Sequence, residues 1–264
     1  MKILLSPRFW APHGWLGDLL SAARLLTRLP LGAVSARPSE PVASHPARCY
    51  PLVGAGIGAL AALAFAVGAW LALPPFACAL AALAVSILVT GALHEDGLAD
   101  VADGFGGGHG RERKLAIMRD SRIGSYGVLA LALVLTARGG SLASLADTGA
   151  AAAALIAAHT LSRGGLAALM AAQPLARSDG LAAATGRPGG ADAVIAFAVG
   201  GLAAFLLLDF GVAVVAILAC AVVQLGLGLQ AQRQIGGMTG DVLGAAQQLG
   251  EAAVLLAICA GAAP

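Results

Sequence analysis

Residues 94–110, with the sequence HEDGLADVADGFGGGHG, hold four of the chain's fourteen carboxylates directly after an apolar run long enough to cross a membrane. If a helix continues through this motif, Asp96, Asp100 and Asp103 stand at positions i, i+4 and i+7 on one face. Such an acidic cluster is costly, since one central membrane Asp costs about 2.5 to 3.5 kcal/mol and like charges repel. A bound divalent cation is the simplest explanation, so we predict that these aspartates hold a metal.

The composition is that of a membrane protein with several spans. Apolar residues make up 59% of the chain and charged residues 11%, against about 25% charged in a typical soluble domain. Seven apolar stretches approach the length that crosses about 30 Å of hydrocarbon. We therefore predict an all-α fold, a polytopic membrane bundle of about seven transmembrane helices. The predicted spans are 51–73, 75–93, 124–138, 148–172, 190–208, 211–230 and 242–262.

The whole chain, 1–264, is predicted to form a single membrane-embedded domain. Residues 14–29 repeat apolar positions at helical spacing with arginines on the other side, which is typical of an amphipathic helix lying on the membrane surface. A helix packed against the protein in the cytoplasm fits the same pattern. We therefore assign 1–50 as a cytoplasmic amphipathic segment and loop, and 51–264 as the transmembrane bundle.

The basic residues are divided unevenly between the predicted loops. Six precede residue 51, five lie in 111–122, two in 173–189 and one is Arg233. In a seven-span arrangement these fourteen share one side of the membrane, and the other side keeps only Arg138. Loops rich in Lys and Arg face the cytoplasm. We therefore predict a cytoplasmic N-terminus, a cytoplasmic acidic motif and an external C-terminus.

A basic segment, RERKLAIMRDSRIG at 111–124, follows the acidic motif. Taken alone, such a segment is usually an interfacial helix that faces anionic lipid. It also lies close in sequence to the proposed metal ligands, and the forked donors of arginine suit phosphate oxygens. Both interpretations stay open, and the candidate phosphate-binding residues are Lys114, Arg119 and Arg122.

A glycine-rich piece from Gly104 to Gly110 joins the acidic motif to the basic segment. It matches neither the GxGxxG nor the P-loop pattern, so it is weak evidence for nucleotide binding. One interpretation is a flexible connector. The other is that bare backbone, beginning at Gly104, approaches the phosphate groups of a substrate.

A second polar segment, GGMTGDVLGAAQQLGE, occupies 236–251. Thr239 offers an N-cap to the helix that follows, and Asp241 lies near that helix N-terminus, where an anion is stabilised. Both residues are candidates for substrate binding, and a purely structural role fits them equally.

Glu251 lies about 15 Å further along the same predicted helix, well inside the membrane. A carboxylate at that depth needs a partner. The available groups are Arg163 and His159 in the fourth predicted span. We predict a structural ion pair between Glu251 and Arg163.

Six segments, in this order along the chain, resemble the motifs of the cobalamin synthase family, the membrane-bound adenosylcobinamide-GDP ribazoletransferases. The acidic motif alone is less specific, because CDP-alcohol phosphotransferases also place aspartates as D-G-x2-A at the end of a span. Those enzymes have Arg where this chain has Asp100, and they need two further spaced aspartates that are absent here. The matching segments are LLTRLP at 25–30, YPLVGAGIGA at 50–59, LHEDGLADVADG at 93–104, IMRDSRIGSYGVLAL at 117–131, SRGGLAALM at 162–170 and GGMTGDVLGA at 236–245.

The resemblance implies a transferase of late cobalamin (vitamin B12) biosynthesis in a bacterial inner membrane, with its active site on the cytoplasmic face. α-Ribazole, or its 5′-phosphate, attacks adenosylcobinamide-GDP with its ribose hydroxyl; GMP is released, and adenosylcobalamin or its 5′-phosphate is formed. The resemblance also implies Mg²⁺, which suits a few carboxylates together with phosphate oxygens, and the three aspartates of the motif are assigned as its ligands. Membrane lipid is the other expected partner, nucleic acid is not expected, and the oligomeric state stays open.

Three residues are candidates for the proton transfer that this reaction needs. We favour Asp120 as the base. His94 fits chemically, but on a continuous helix it points away from Asp96, so a structural role is equally compatible. Glu95 is a further candidate for metal binding or catalysis.

Two other functions stay open on the sequence alone. A secondary transporter would also show about seven spans, glycine-broken helices such as 236–240 and an intramembrane acid such as Glu251. Its acids should lie near the membrane midplane in paired halves, whereas six of the fourteen carboxylates here fall within 95–120. A membrane enzyme like the CDP-alcohol phosphotransferases is the second alternative.

Overall fold

The computed structural model describes residues 14–31, 45–145 and 147–261. This part of the chain is all-α, as predicted, and most of the predicted N-terminal loop lies outside it. A 3₁₀ turn at Pro46–Cys49 precedes α2. The helices are α1 (Gly14–Leu26), α2 (Tyr50–Trp70), α3 (Pro75–Thr90), α4 (Leu93–Gly107), α5 (Arg111–Ile117), α6 (Ser125–Ser144), α7 (Thr148–Ala172), α8 (Leu181–Thr185), α9 (Gly190–Leu207), α10 (Phe210–Ile235) and α11 (Gly240–Gly261).

Six of these helices, α2, α6, α7, α9, α10 and α11, are each long and apolar enough to cross a membrane. The number is seven if α3 and α4, which meet at 90°, are taken as one broken span. The predicted polytopic bundle is therefore confirmed. Helix α6 runs on to Ser144, past the predicted end of the third span at residue 138, because Arg138 is buried within it.

The acidic motif does not continue the preceding span, as the sequence analysis assumed. Helix α3 ends at Thr90, and Gly91 (φ 63°) and Ala92 (φ 57°) both adopt left-handed backbone conformations. Glycine takes this conformation without steric cost and commonly ends a helix. The chain then turns by 90° into α4. The motif therefore forms a helix of its own across the end of the bundle, and its i, i+4, i+7 spacing is kept within α4.

Helix α7 lies at the centre of the bundle, packed against α2, α9 and α11. It is the most buried of the spans. The outer helices leave large apolar side chains exposed, among them Leu133, Leu206 and Val222. Exposed apolar side chains of this kind are typical of helices that contact lipid, and the lipid contact itself stays a prediction.

Helix α1 packs on the start of α2 through one face. Asp18, Ala22 and Leu26 are buried, and the Asp18 carboxylate pairs with the Arg48 guanidinium at 2.7 Å. Trp15 stays about half exposed on the other side. The predicted amphipathic helix is thus docked against the protein, which was the second of its two interpretations.

Candidate functional site

A cavity of about 100 Å³ opens at the end of the bundle where α4 and α11 begin. Its polar lining includes His94 and Asp96 from α4, Arg177 from the loop after α7, Thr185 from α8, and Asp241 from α11. We call it the α4–α11 cavity. Its apolar lining includes Leu25, Leu26, Tyr50, Leu93, Leu166, Met170, Leu181 and Leu243. The cavity thus offers both charged and apolar side chains, which suits a ligand with phosphate groups on a larger apolar body.

Gly97 allows the two helices of this cavity to touch. A Cβ atom at this position would lie 2.7 Å from the Asp241 carbonyl oxygen, and one at Gly244 would lie 3.2 Å from the His94 Cα. Only glycine permits such close contact between the two backbones. The contact sets Asp96 at the start of α4 beside Asp241 at the start of α11.

We expect Gly97→Ala to lower catalytic activity at least about tenfold, because the added methyl group forces α4 away from α11, and small displacements at a reacting centre are costly. Gly56→Ala is the matched control, since a Cβ there meets nothing within 4 Å. Activity and thermal unfolding of both variants in detergent check the prediction. Full activity of Gly97→Ala would contradict the close helix contact.

Asp96 and Asp100 stand one turn apart on α4. Burial and, after it, the charges of Asp96 and Asp241 raise the pKa of the Asp100 carboxyl to about 7. A place where carboxylates oppose one another's ionisation in this way favours a cation. In the three described ranges no three His, Cys, Asp or Glu side chains are close enough to hold a metal together. Mg²⁺ commonly takes one or two protein carboxylates and completes its shell with water and phosphate oxygens, so the residues present fit it.

Asp103 lies further along α4 and faces α6 instead of the α4–α11 cavity. Its two carboxylate oxygens accept hydrogen bonds from the backbone N–H groups of Gly124 (2.7 Å) and Gly127 (2.9 Å). These donors lie at the start of α6, where backbone N–H groups have no partner within the helix. The three aspartates therefore do not converge on one point. The metal role of Asp103 stays a prediction, and its capping of α6 is a role that the sequence did not show.

Glu95 points into the bundle, away from the cavity. Its Oε1 accepts a hydrogen bond from Gln248 Nε2 at 2.9 Å and lies 3.5 Å from Arg138 Nη1. The residue is buried. Its proposed catalytic or metal-binding role stays a prediction, and these contacts join α4 to α6 and α11 through a buried polar network.

The same network holds Glu251. His159 Nδ1 lies 3.0 Å and Arg163 Nη1 3.7 Å from its Oε2, so both predicted partners are present. The closest partner is Arg138, whose Nη2 donates to Oε1. Placing Arg138 in an external loop was therefore wrong, since its side chain is fully buried on α6. Two arginines and two glutamates balance the charge of the network.

Removing one partner from a buried ion pair leaves an uncompensated charge, so we expect Arg138→Gln to lower the free energy of unfolding by about 3–5 kcal/mol. Combined with Glu251→Gln the loss should be smaller than the sum, and a double-mutant cycle measured by unfolding in detergent gives the coupling. Arg163→Gln is the matched control, because its contact with Glu251 is longer. Additive losses for Arg138 and Glu251 would contradict the pair.

His94 is 2% exposed and lines the α4–α11 cavity. Neither of its ring nitrogens has a hydrogen-bond partner among the residues that the structure describes. Burial and, after it, the charge of Arg163 hold the pKa of His94 well below its usual range. The ring is therefore held in its neutral form, in which one nitrogen is an acceptor without a partner in the described chain.

Asp120 lies in the exposed loop between α5 and α6. Its carboxylate accepts three hydrogen bonds from Arg122, from the backbone N (3.1 Å), Nε (3.0 Å) and Nη2 (2.7 Å). These bonds occupy its carboxylate oxygens and lower the pKa of Asp120 to about 2. Asp120 lines a different cavity, beside Asp103, and the structure does not bring it to His94 or Asp96.

The three predicted phosphate-binding side chains all contact the protein. Arg119 Nη2 donates to both carboxylate oxygens of Asp179, at 2.7 and 2.9 Å. Lys114 Nζ donates to Gln234 Oε1. Arg122 is held by Asp120. Of the three, only Arg119 lines a cavity that adjoins the α4–α11 cavity.

That second cavity, which we call the arginine cavity, lies between α5 and the loop after α7. It is lined by Arg111, Leu115, Arg119, Leu175, Ala176, Arg177, Ser178 and Asp179. Arg111 has a structural role, because it donates to the carbonyl oxygens of Ile235 (2.9 Å) and Ala176 (2.5 Å). Arg119 and Arg177 are left to face the cavity.

Thr239 caps α11, as predicted. Its Oγ1 accepts a hydrogen bond from the Val242 N–H at 3.2 Å and donates to Asp241 Oδ2 at 3.1 Å. Gly104 is covered by α5, since a Cβ there would lie 2.6 Å from Met118 Cγ. That gives Gly104 a packing role, and the approach of its backbone to phosphate stays a prediction.

Arg177 is the site residue that sequence reasoning missed. Its Nη2 donates to Asp241 Oδ2 at 3.2 Å, and the side chain is mostly buried. It lines both the α4–α11 cavity and the arginine cavity. The only signal in the sequence was one basic residue in a loop with no recognisable motif.

Comparison with known proteins agrees with the resemblance drawn from the six segments. A family model described as cobalamin-5-phosphate synthase matches residues 18–259. The chain belongs to this family. A protein of Bradyrhizobium diazoefficiens named adenosylcobinamide-GDP ribazoletransferase is 48% identical over 93% of this chain and 94% of its own length. Proteins of the same name from Azorhizobium caulinodans (45% identical; 94% and 97% covered) and Mesorhizobium japonicum (44%; 93% and 94%) are also similar. No solved structure matches the chain.

The match to the cobalamin-5-phosphate synthase family includes every element that lines the α4–α11 cavity from Leu25 to Gly244. The cavity therefore lies wholly within the part of the chain that defines membership of the family.

Proposed function

We propose that the protein is an adenosylcobinamide-GDP ribazoletransferase, which joins α-ribazole or its 5′-phosphate to adenosylcobinamide-GDP and releases GMP. The observation that carries the proposal is the α4–α11 cavity, where Asp96 of the acidic motif lies with Asp241, Arg177 and the unpartnered His94. The names of relatives that match over nine-tenths of the chain support it.

The chemistry is displacement at a phosphorus atom of a pyrophosphate. The ribose hydroxyl oxygen of the acceptor forms the new O–P bond, and GMP departs with the electron pair of the bond that breaks. Such a transfer needs in-line positioning and neutralisation of charge. Mg²⁺ held by Asp96 and Asp100, with Asp241 beside them, would polarise the donor phosphates. Arginine side chains at the cavity supply forked donors to the remaining oxygens.

The hydroxyl proton must pass to a base, and His94 is better placed for that role than Asp120. His94 lines the cavity as a neutral imidazole with both nitrogens unpartnered, whereas Asp120 is tied to Arg122. We therefore propose His94 as the general base, in place of the sequence-based preference for Asp120.

We place the site on the cytoplasmic face of a bacterial inner membrane. The cavity opens at the end of the bundle that carries the basic loops, and the loops at the opposite end, 71–74, 145–147 and 208–209, contain no Lys or Arg. Because Arg138 is buried, it does not count as a loop charge. The difference in Lys and Arg content between the loops at the two ends is therefore larger than the sequence predicts.

Cysteine labelling in intact cells tests this orientation. We expect Asp209→Cys to react with a membrane-impermeant maleimide and His109→Cys to react only after the cells are opened, because the two positions lie at opposite ends of the bundle. A variant with the four native cysteines replaced by Ser or Ala supplies the background. Labelling of His109→Cys from outside would contradict the orientation.

The reaction itself is tested with the purified full-length protein, adenosylcobinamide-GDP and α-ribazole or its 5′-phosphate. We expect GMP and the corrinoid product in equal amounts, and the faster acceptor identifies the product as adenosylcobalamin or its 5′-phosphate. Substrate uptake into proteoliposomes without GMP release would favour the secondary transporter. Turnover of CDP-alcohols, but not of adenosylcobinamide-GDP, would favour the phospholipid-type enzyme.

A further inference from the structure

Arg177 lies between the α4–α11 cavity and the arginine cavity. Only some of its N–H groups have a hydrogen-bond partner. Nη2 is bound to Asp241 at 3.2 Å, and Nε lies 3.9 Å from Asp179 Oδ1. Nη1 is buried and has no hydrogen-bond partner within the described residues. A guanidinium with an unused buried donor at a cavity wall is suited to a ligand that brings several acceptor oxygens.

Asp179 occupies the neighbouring acceptor position. Both of its oxygens accept from Arg119 Nη2, and its Oδ1 lies 3.9 Å from Arg177 Nε. Its side chain is 64% exposed, and an exposed ion pair contributes little to stability. A carboxylate on two arginines presents oxygens much as a phosphate does, so Asp179 marks where a phosphate group fits.

The backbone is anchored on both sides of Asp179. Ala176 N–H donates to Met238 O, and Met238 N–H donates to Pro174 O, both at 2.8 Å, which fixes the loop to the start of α11. Beyond Asp179 the chain passes Gly180, whose φ is 89°. The Gly180 carbonyl oxygen accepts from the Ala184 N–H at 3.0 Å, at the start of α8. Release of the two arginines therefore requires only that the exposed Asp179 side chain rotates.

We propose that Arg177 and Arg119 bind the phosphate of the GMP moiety of the donor, and that Asp179 competes with this phosphate for the two arginines. The inference rests on the proposed function and assigns a part of the donor to each cavity. The cobinamide-side phosphate of the pyrophosphate lies at the acidic residues of the α4–α11 cavity, and the GMP phosphate with its guanosine extends into the arginine cavity. Arg177 contacts both.

The test measures GMP binding to the full-length protein in detergent by calorimetry, without Mg²⁺, so that the metal site does not contribute. We expect Asp179→Asn to bind GMP about tenfold more tightly, because the competing charge is removed, and Arg177→Gln to bind it at least about tenfold more weakly. Arg177→Lys should fall between Arg177→Gln and wild type, since it keeps the charge but loses the fork. Guanosine, which lacks the phosphate, should bind all variants equally.

Glu112→Gln is the matched control, because Glu112 is an exposed carboxylate on α5 close to the arginine cavity. If Glu112→Gln tightens GMP binding as much as Asp179→Asn does, the cause is the loss of a negative charge anywhere on this surface. The competition between Asp179 and the phosphate is then refuted. Unchanged GMP binding by Asp179→Asn also refutes it, even if Arg177→Gln proves unstable. GMP release by the wild type is measured in parallel. Its absence refutes the proposed function, whereas its presence with unaltered binding in the variants refutes only this inference.

Discussion

Replacing Asp96 or Asp100 with asparagine is expected to lower GMP release by at least about 100-fold, since a metal that stabilises transferring phosphates contributes several kcal/mol. Asparagine keeps the volume and one oxygen but removes the charge that holds the cation. Initial rates under saturating Mg²⁺ with both substrates check this. We expect the thermal unfolding of the two variants to stay close to that of the wild type, because both side chains face the open end of the bundle.

Asp147→Asn is the control for this pair. Asp147 caps α7 by accepting from the Ala150 N–H at 2.8 Å, and asparagine caps a helix equally well, so the rate should not change. Asp103→Asn tests the other predicted ligand. Asparagine keeps one of the two side-chain oxygens that accept from the N–H groups at the start of α6, so part of the cap is kept while the charge is removed. Near-normal turnover by Asp100→Asn would contradict the metal assignment.

The second large effect is expected at His94. A general base commonly contributes about 10²- to 10⁴-fold, so His94→Gln should lower kcat by at least about 100-fold and leave the KM of adenosylcobinamide-GDP nearly unchanged. The ring has no hydrogen-bond partner to lose within the described chain, so the folded protein should persist. Steady-state kinetics of the purified variant provide the measurement.

Two matched variants make the His94 result specific. His109→Asn changes an exposed histidine of the glycine-rich linker and should be silent. Asp120→Asn should have a small effect, because Arg122 already occupies the Asp120 carboxylate and Asp120 lines a different cavity. A large loss of kcat at Asp120 with none at His94 would restore the sequence-based choice of base.

The bundle was predictable because each span carries its own signal in length and hydropathy. The 90° turn between α3 and α4 was not, because it depends on two consecutive left-handed residues, and Ala92 gives no hint of that conformation. That turn also determines where the side chains of the acidic motif lie. It lets Asp96 enter a cavity and directs Asp103 to α6.

The errors at Arg138 and Arg177 have a different origin. Counting charges by loop assumes that an arginine near the end of a predicted span is solvated, whereas Arg138 is buried against Glu251 and Gln248. Arg177 has no motif around it. Its importance comes from the approach of the 173–180 loop to α11, a tertiary contact that the sequence near Arg177 does not specify.

The metal-dependent transfer is tested best by GMP release from adenosylcobinamide-GDP by the purified wild-type protein, with α-ribazole present, in a titration of chelator against Mg²⁺. We predict that turnover disappears in excess chelator, returns when Mg²⁺ is added back, and does not return for Asp100→Asn at the same Mg²⁺ concentration. GMP release that persists at the full rate in excess chelator would contradict the account.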